Sequence, residues 1–125
     1  MSAKHTESRN IMVVDDDPSL LRLISLRLQA AGYQVVTADS AKQALAELEC
    51  FSAHLVISDI RMDGMDGLEL LKRVQQDHPQ IPFIIMTAHS DLESAVSSFQ
   101  GGAFEYLPKP FDVDEALALV ERALE

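Results

Sequence analysis

Apolar runs of strand length alternate along this chain with longer stretches in which apolar residues recur every three or four positions. Runs at 11–14, 34–38, 54–58, 83–86 and 104–107 have the length and content of strands buried in a sheet. Between them lie helix patterns. Asp17 is placed to cap the first, with Pro18 at its first position, and Leu20, Leu21, Leu23, Ile24 and Leu28 form its apolar stripe up to a stop at Gly32. Ser40 and Gln43 have capping-box spacing ahead of a second helix, with Ala44, Leu45 and Leu48 on its inner side and an end near Cys50. A third helix follows a loop at 59–67 that carries two glycines, Gly64 and Gly67, where the backbone must turn tightly. It buries Leu68, Leu70, Leu71 and Val74.

The fourth expected helix opens on a second capping box, Ser90 to Glu93, and repeats Leu92, Ala95, Val96 and Phe99 at helical spacing. Its propensity is low, because Ser94, Ser97 and Ser98 favour the helix less than Ala or Leu would and Gly101-Gly102 ends it. A last helix begins at Asp112, with Glu115 three residues on and Ala116, Leu117, Leu119, Val120 and Leu124 behind. Five strand-then-helix units result, without internal sequence repetition. Such alternation predicts an α/β domain with a parallel sheet. Residues 1–9 are too polar and aperiodic to dock and form an expected tail, leaving 10–125 as one domain.

Composition narrows the function classes. At 125 residues, with 47% hydrophobic and 24% charged residues, the chain suits a single globular core. A net charge of −10 argues against direct nucleic-acid contact, since phosphates would be repelled. The single Cys50 forms no intrachain disulfide, no apolar stretch approaches membrane-spanning length, and the polar start is unlike a signal peptide. A reducing cytoplasm is the expected setting.

The alternation also brings polar residues to one place. IMVV runs into Asp15-Asp16-Asp17, HLVIS into Asp59, FIIM into Thr87 and FEYLP into Lys109, so all four termini fall at the carboxyl edge of the sheet, where open α/β folds bind ligands. If the first and third strands are neighbours, carboxylates converge there. Two such charges about 4 Å apart repel by roughly 4 kcal/mol at an effective dielectric of 20. A divalent cation that prefers oxygen ligands would neutralise them, and Mg²⁺ suits a small open carboxylate cluster.

Asp59 is the candidate nucleophile for a phosphorus centre, with Lys109 and the Thr87 hydroxyl placed to stabilise phosphoryl oxygens. Taken singly, the aspartates also fit capping roles, Lys109 a solvated loop and Thr87 a helix entry. Prolines flank Lys109, and the Lys109–Pro110 bond is a candidate for the cis form found in about one X–Pro bond in twenty. His5, His54, His78 and His89 lack metal-ligand spacing, and only His89, two positions past Thr87, stands where it would influence water access to Asp59.

Over its ordered length the chain resembles the receiver domain of bacterial two-component response regulators. IMVVDDDP resembles the family's first strand and acidic pair, HLVISDIRM its phosphoacceptor segment, FIIMTAH its switch Thr and FEYLPKPF its aromatic and Lys segment. The stretch from MTAHSDLESAV to the last helix is most similar to NtrC-type receivers, which control σ54-dependent activators. One departure is Asp63, where many relatives carry Pro.

The resemblance implies a doubly wound (βα)5, flavodoxin-like or CheY-like sheet in the order 2-1-3-4-5. It implies phosphorylation of Asp59 by a sensor histidine kinase, self-catalysed with slow autodephosphorylation. It further implies Mg²⁺ held by Asp16, Asp59 and the Arg61 carbonyl, with Asp15 acting through water. Asp15-Asp16 is favoured as the acidic pair over Asp16-Asp17, and the triple Asp leaves both open. Thr87 would shift toward the phosphoryl group and Tyr106 turn inward. That would reshape the face made by the fourth expected helix, the fifth strand and the last helix. NtrC-type proteins continue into ATPase and DNA-binding domains, neither of which lies in these residues; self-association would use the domain's own surface.

Three other readings remain at this point. A receiver that binds partners without being phosphorylated would share every motif. A flavodoxin-like nucleotide module would share the topology, but three carboxylates at the first loop oppose a phosphate-bearing cofactor. A phosphatase with an aspartyl nucleophile would need room for substrate and a separate acid–base group.

Overall fold

The computed structural model describes residues 9–60, 67–88 and 102–124. Five parallel strands form one sheet: β1 (Asn10–Val14), β2 (Gln34–Ala38), β3 (Leu55–Asp59), β4 (Phe83–Ala88) and β5 (Glu105–Lys109). Their order is β2-β1-β3-β4-β5, which makes β3 the central strand and β2 and β5 the edges. Four helices are described: α1 (Pro18–Ala30), α2 (Ala41–Leu48), α3 (Gly67–Asp77) and α4 (Val113–Ala123). The expected helix that begins at Ser90 lies outside the described residues.

The strand sequences explain the layering. In a parallel sheet with helices on both faces, successive side chains enter two different cores, so the central strands are apolar throughout. Met12, Val14, Val56, Phe83 and Ile85 point to one face and pack with Ala44, Leu48, Leu70 and Val74 of α2 and α3. Ile11, Val13, Ile57, Ile84 and Met86 point to the other and pack with Ile24 and Leu28 of α1 and Ala116 and Val120 of α4. Each fully buried aliphatic side chain contributes about 1.5–3 kcal/mol. The strand runs therefore supply both cores at once.

Helix boundaries follow the expected caps with one exchange. The Asp17 carboxylate accepts from the Ser19 amide at 2.9 Å, with Pro18 at the first helical position. Gly32 adopts φ +100°, the left-handed conformation that ends a helix without a Cβ penalty. Asp112 and Glu115 form a full capping box on α4. On α2 the box is only half formed. Ser40 accepts from the Gln43 amide at 3.1 Å, but the Gln43 side chain accepts from Asp39, at 2.7 Å, instead of from Ser40.

Several expected bounds shift. β3 begins at Leu55 and runs through Asp59, and β4 continues through Ala88, so Thr87 lies within a strand. β5 begins at Glu105 and runs through Lys109, so the lysine is a strand residue where a loop residue was expected. Leu23 was expected on the inner stripe of α1, yet it is 56% exposed, because Leu21, Ile24 and Leu28 already complete the inward face. No helix among the described residues is long and apolar enough to cross a membrane.

Candidate functional site

At the carboxyl edge of the sheet, three sequence-distant strands deliver their last residues to one spot. Asp15 follows β1, Asp59 ends β3 and Lys109 ends β5. The register carries the pattern outward: Asp59 pairs with Met86, the next β4 residue Thr87 pairs with Pro108, and Ala88 pairs with Lys109. Asp15, Asp59 and Thr87 are all buried, whereas Asp16 is exposed.

Lys109 binds the acidic group together. Its Nζ donates to Asp15 Oδ2 at 2.9 Å and lies 3.4 Å from Asp59 Oδ2. The other Asp15 oxygen accepts from the Asp17 amide at 2.9 Å, so both of its oxygens are engaged. Asp17 is turned to its capping task, and the carboxylates that approach one another are those of Asp15, Asp16 and Asp59, within 4.8 Å. The Lys109–Pro110 peptide is cis.

Electrostatics at the cluster are unbalanced. Burial pushes the Asp59 carboxyl above its ordinary range and Asp15 adds to the rise, while the Lys109 charge opposes both. Burial alone would lower Lys109, but the hydrogen bond to Asp15 and the charges of Asp59 and Asp15 reverse this, and its ammonium is held above the ordinary lysine value. Among the described residues, Asp15 and Asp59 share the Lys109 ammonium, and Asp16 adds a third carboxylate to the cluster. Hard oxygen ligands with an excess of negative charge are the donor set that a small divalent cation selects, so these residues fit Mg²⁺ chemically.

The backbone around Asp59 is closely held. The Ile60 amide donates to Met86 O at 3.2 Å, and the Gly67 amide donates to Ile60 O at 2.7 Å. Gly67 matters here for space. A Cβ on it would collide with the Asp59 carbonyl oxygen and lie 2.9 Å from the Ile60 Cα. Its glycine was expected to serve a tight turn, yet only Gly32 and Gly102 have positive φ among the described glycines.

Residues 11–121 match the family described as the response regulator receiver domain. The chain belongs to that family. As a receiver it is 54% identical over 114 residues to the DNA-binding transcriptional regulator NtrC of Salmonella typhimurium, a match covering 91% of this chain and 24% of that protein. The chain thus spans about a quarter of the length of the curated relatives it matches. Among solved structures, the receiver domain of NtrX from Brucella abortus superposes with a TM-score of 0.87 at 36% identity, covering 91% of this chain and 97% of that one. A CheY-like receiver from Methanospirillum hungatei gives 0.89 at 31% identity, covering 94% of both chains. Both the receiver family and the NtrC type agree with the motifs read from the sequence.

Of the residues singled out in the sequence, Asp15, Asp16, Asp59 and Lys109 meet at this receiver's edge, and Thr87 lies in the adjoining strand. Tyr106 is half-buried on β5, against the core that holds Met12 and Phe83. Together with Leu119 and Arg122 of α4 it lines a groove of about 420 Å³. Arg61 and His89 lie outside the described residues. Ser58 was not singled out. Its signal was a hydroxyl inside an otherwise apolar run, which a buried strand tolerates only with a hydrogen-bond partner.

Proposed function

We propose that residues 10–125 form a phosphorylation-dependent switch in which Asp59 accepts a phosphoryl group from a sensor histidine kinase. The observation that carries this reading is the Lys109 ammonium between Asp15 and Asp59, beside the exposed Asp16. An Asp59 carboxylate oxygen attacks phosphorus, the bond to the donor breaks, and the donor leaves with the electron pair. Phosphoryl transfer asks mainly for positioning and charge stabilisation, and Lys109 is within reach to neutralise one equatorial oxygen. The Thr87 hydroxyl would donate to another.

Asp16, Asp59 and the Arg61 carbonyl would hold Mg²⁺, with Asp15 acting through water. That role suits Asp15, whose two oxygens are already engaged by Asp17 and Lys109. A bound ion would neutralise carboxylate and phosphoryl oxygens together. The chain would carry out its own phosphorylation and slow autodephosphorylation, without turnover of an external substrate.

Output would pass through movement of Thr87 and Tyr106 to the face formed by the segment beginning at Ser90, β5 and α4, where Tyr106 already lines a groove. In a longer regulator that face would control ATPase and DNA-binding domains in a reducing cytoplasm, and it would also serve self-association. Incubation with Mg²⁺ and acetyl phosphate, followed by intact mass, tests the reading. One phosphoryl adduct in the wild type and none in Asp59→Asn is expected. No adduct would leave an interaction domain that works without phosphorylation.

A further inference from the structure

We propose that the Ser58 hydroxyl is a positioning residue for phosphorylation, fixing the backbone carbonyl from which the Asp59 carboxylate is aimed. This rests on the reading of Asp59 as the phosphoacceptor. Ser58 is fully buried, and its Oγ donates to the Asp59 carbonyl oxygen at 3.0 Å. β1 pairs with β3 as far as Val14 and Ser58, so Asp59 lies one residue beyond that ladder while still paired with Met86 of β4. There the strand is steered by other means.

Gly67 also bounds this carbonyl. Its bare Cα approaches the same carbonyl so closely that any Cβ would collide with it, and its amide ties α3 to Ile60 O. The Ile60 amide in turn binds Met86 O of β4. The peptide after Asp59 is therefore gripped by a hydroxyl, a glycine and a neighbouring strand. The carboxylate hangs from the Cα next to that carbonyl, so a tilt of the peptide swings the attacking oxygen away from its line of approach. In-line transfer is sensitive to such misplacement.

Loss of one hydrogen bond of ordinary strength predicts that Ser58→Ala lowers the maximal rate of phosphorylation about three- to tenfold. The KM for acetyl phosphate stays unchanged, because the Ser58 hydroxyl is fully buried and turned to the Asp59 carbonyl. Wild type, Ser58→Ala, Ser58→Cys and Ser58→Thr are phosphorylated by acetyl phosphate with saturating Mg²⁺ and followed by intact mass, and each is melted alongside. Ser58→Cys keeps the volume with a weak donor, so it gives the same test should the alanine variant fold poorly.

Slowed maximal rates in the alanine and cysteine variants at full foldedness, with recovery in Ser58→Thr, support the positioning role. Wild-type rates in Ser58→Ala, or rates that fall only in step with the folded fraction, overturn it while phosphorylation of Asp59 stands. Absence of an adduct in the wild type overturns both.

Discussion

Lys109 is bound more closely by Asp15, at 2.9 Å, than by Asp59, at 3.4 Å. The lysine is thus anchored on a carboxylate that is buried and otherwise occupied, and it leans toward the one proposed to react. Removing it takes from the buried Asp15, beside two further carboxylates, the cation that it binds among the described residues. Lys109→Ala should therefore lose about 1–3 kcal/mol in metal-free buffer, the scale of an unsatisfied buried charge with some access to water. Mg²⁺ should raise the melting temperature of this variant more than that of the wild type. Urea titrations with and without Mg²⁺ would show it, and equal metal effects on both proteins would contradict it.

Asp59→Asn should have the opposite sign. Burial raises the Asp59 pKa in the folded state above the unfolded value of 3.8, so the native protein holds this proton more tightly than the unfolded chain does. By linkage, the Asp59 contribution to stability falls as pH rises from 3.8 through the raised folded value, and the cost persists at neutral pH. The asparagine variant lacks that slope. Without metal it should be more stable at pH 7 by on the order of 1 kcal/mol, because the loss of the Lys109 contact offsets most of the roughly 4 kcal/mol of close like-charge repulsion. Denaturation at pH 4 and pH 7 would measure both effects.

Gly67→Ala should cost more than a glycine replacement at a helix start ordinarily does. Its new methyl would meet the Asp59 carbonyl oxygen and the Ile60 Cα, both backbone atoms with little freedom to give. A loss of about 1–3 kcal/mol is expected from overpacking, with a slower phosphorylation rate even in the folded fraction. Thermal melts paired with acetyl phosphate kinetics would separate the two.

On α1, Ile24 is fully buried and its neighbour Leu23 is 56% exposed. Ile24→Ala should cost about 2–5 kcal/mol, while Leu23→Gln should change stability by less than about 0.5 kcal/mol. Chemical denaturation of both variants checks the register of the helix. A large loss from Leu23→Gln would show that this face is covered.

Much of the fold was legible because parallel strands are buried on both sides and so appear as apolar runs, four of the five here leading into a polar residue of the site. Asp17 was readable as a cap, since an acceptor at that position satisfies helix amides that have no other partner, and Asp112 as the start of the last helix. What escaped was set by tertiary geometry. Leu23 is as apolar as Leu21, and only the position of the sheet decides which one is covered. Lys109 fell outside the apolar run at 104–107 and so looked like a loop residue, yet β4 holds it in register. The approach of Gly67 to the Asp59 carbonyl depends on how closely α3 packs on β3, and no local pattern encodes that distance.

The acidic pocket draws its three anchors from residues 15, 59 and 109, and the cation among them sits on an edge strand paired only with β4. As the chain leaves the ribosome, both buried carboxylates emerge long before their lysine. Four strands can line up in that interval, but only around a pocket whose like charges oppose closure. Arrival of β5 supplies the fifth strand and the neutralising charge in one event, so completion of the sheet and readiness of the pocket are tied to the emergence of one segment.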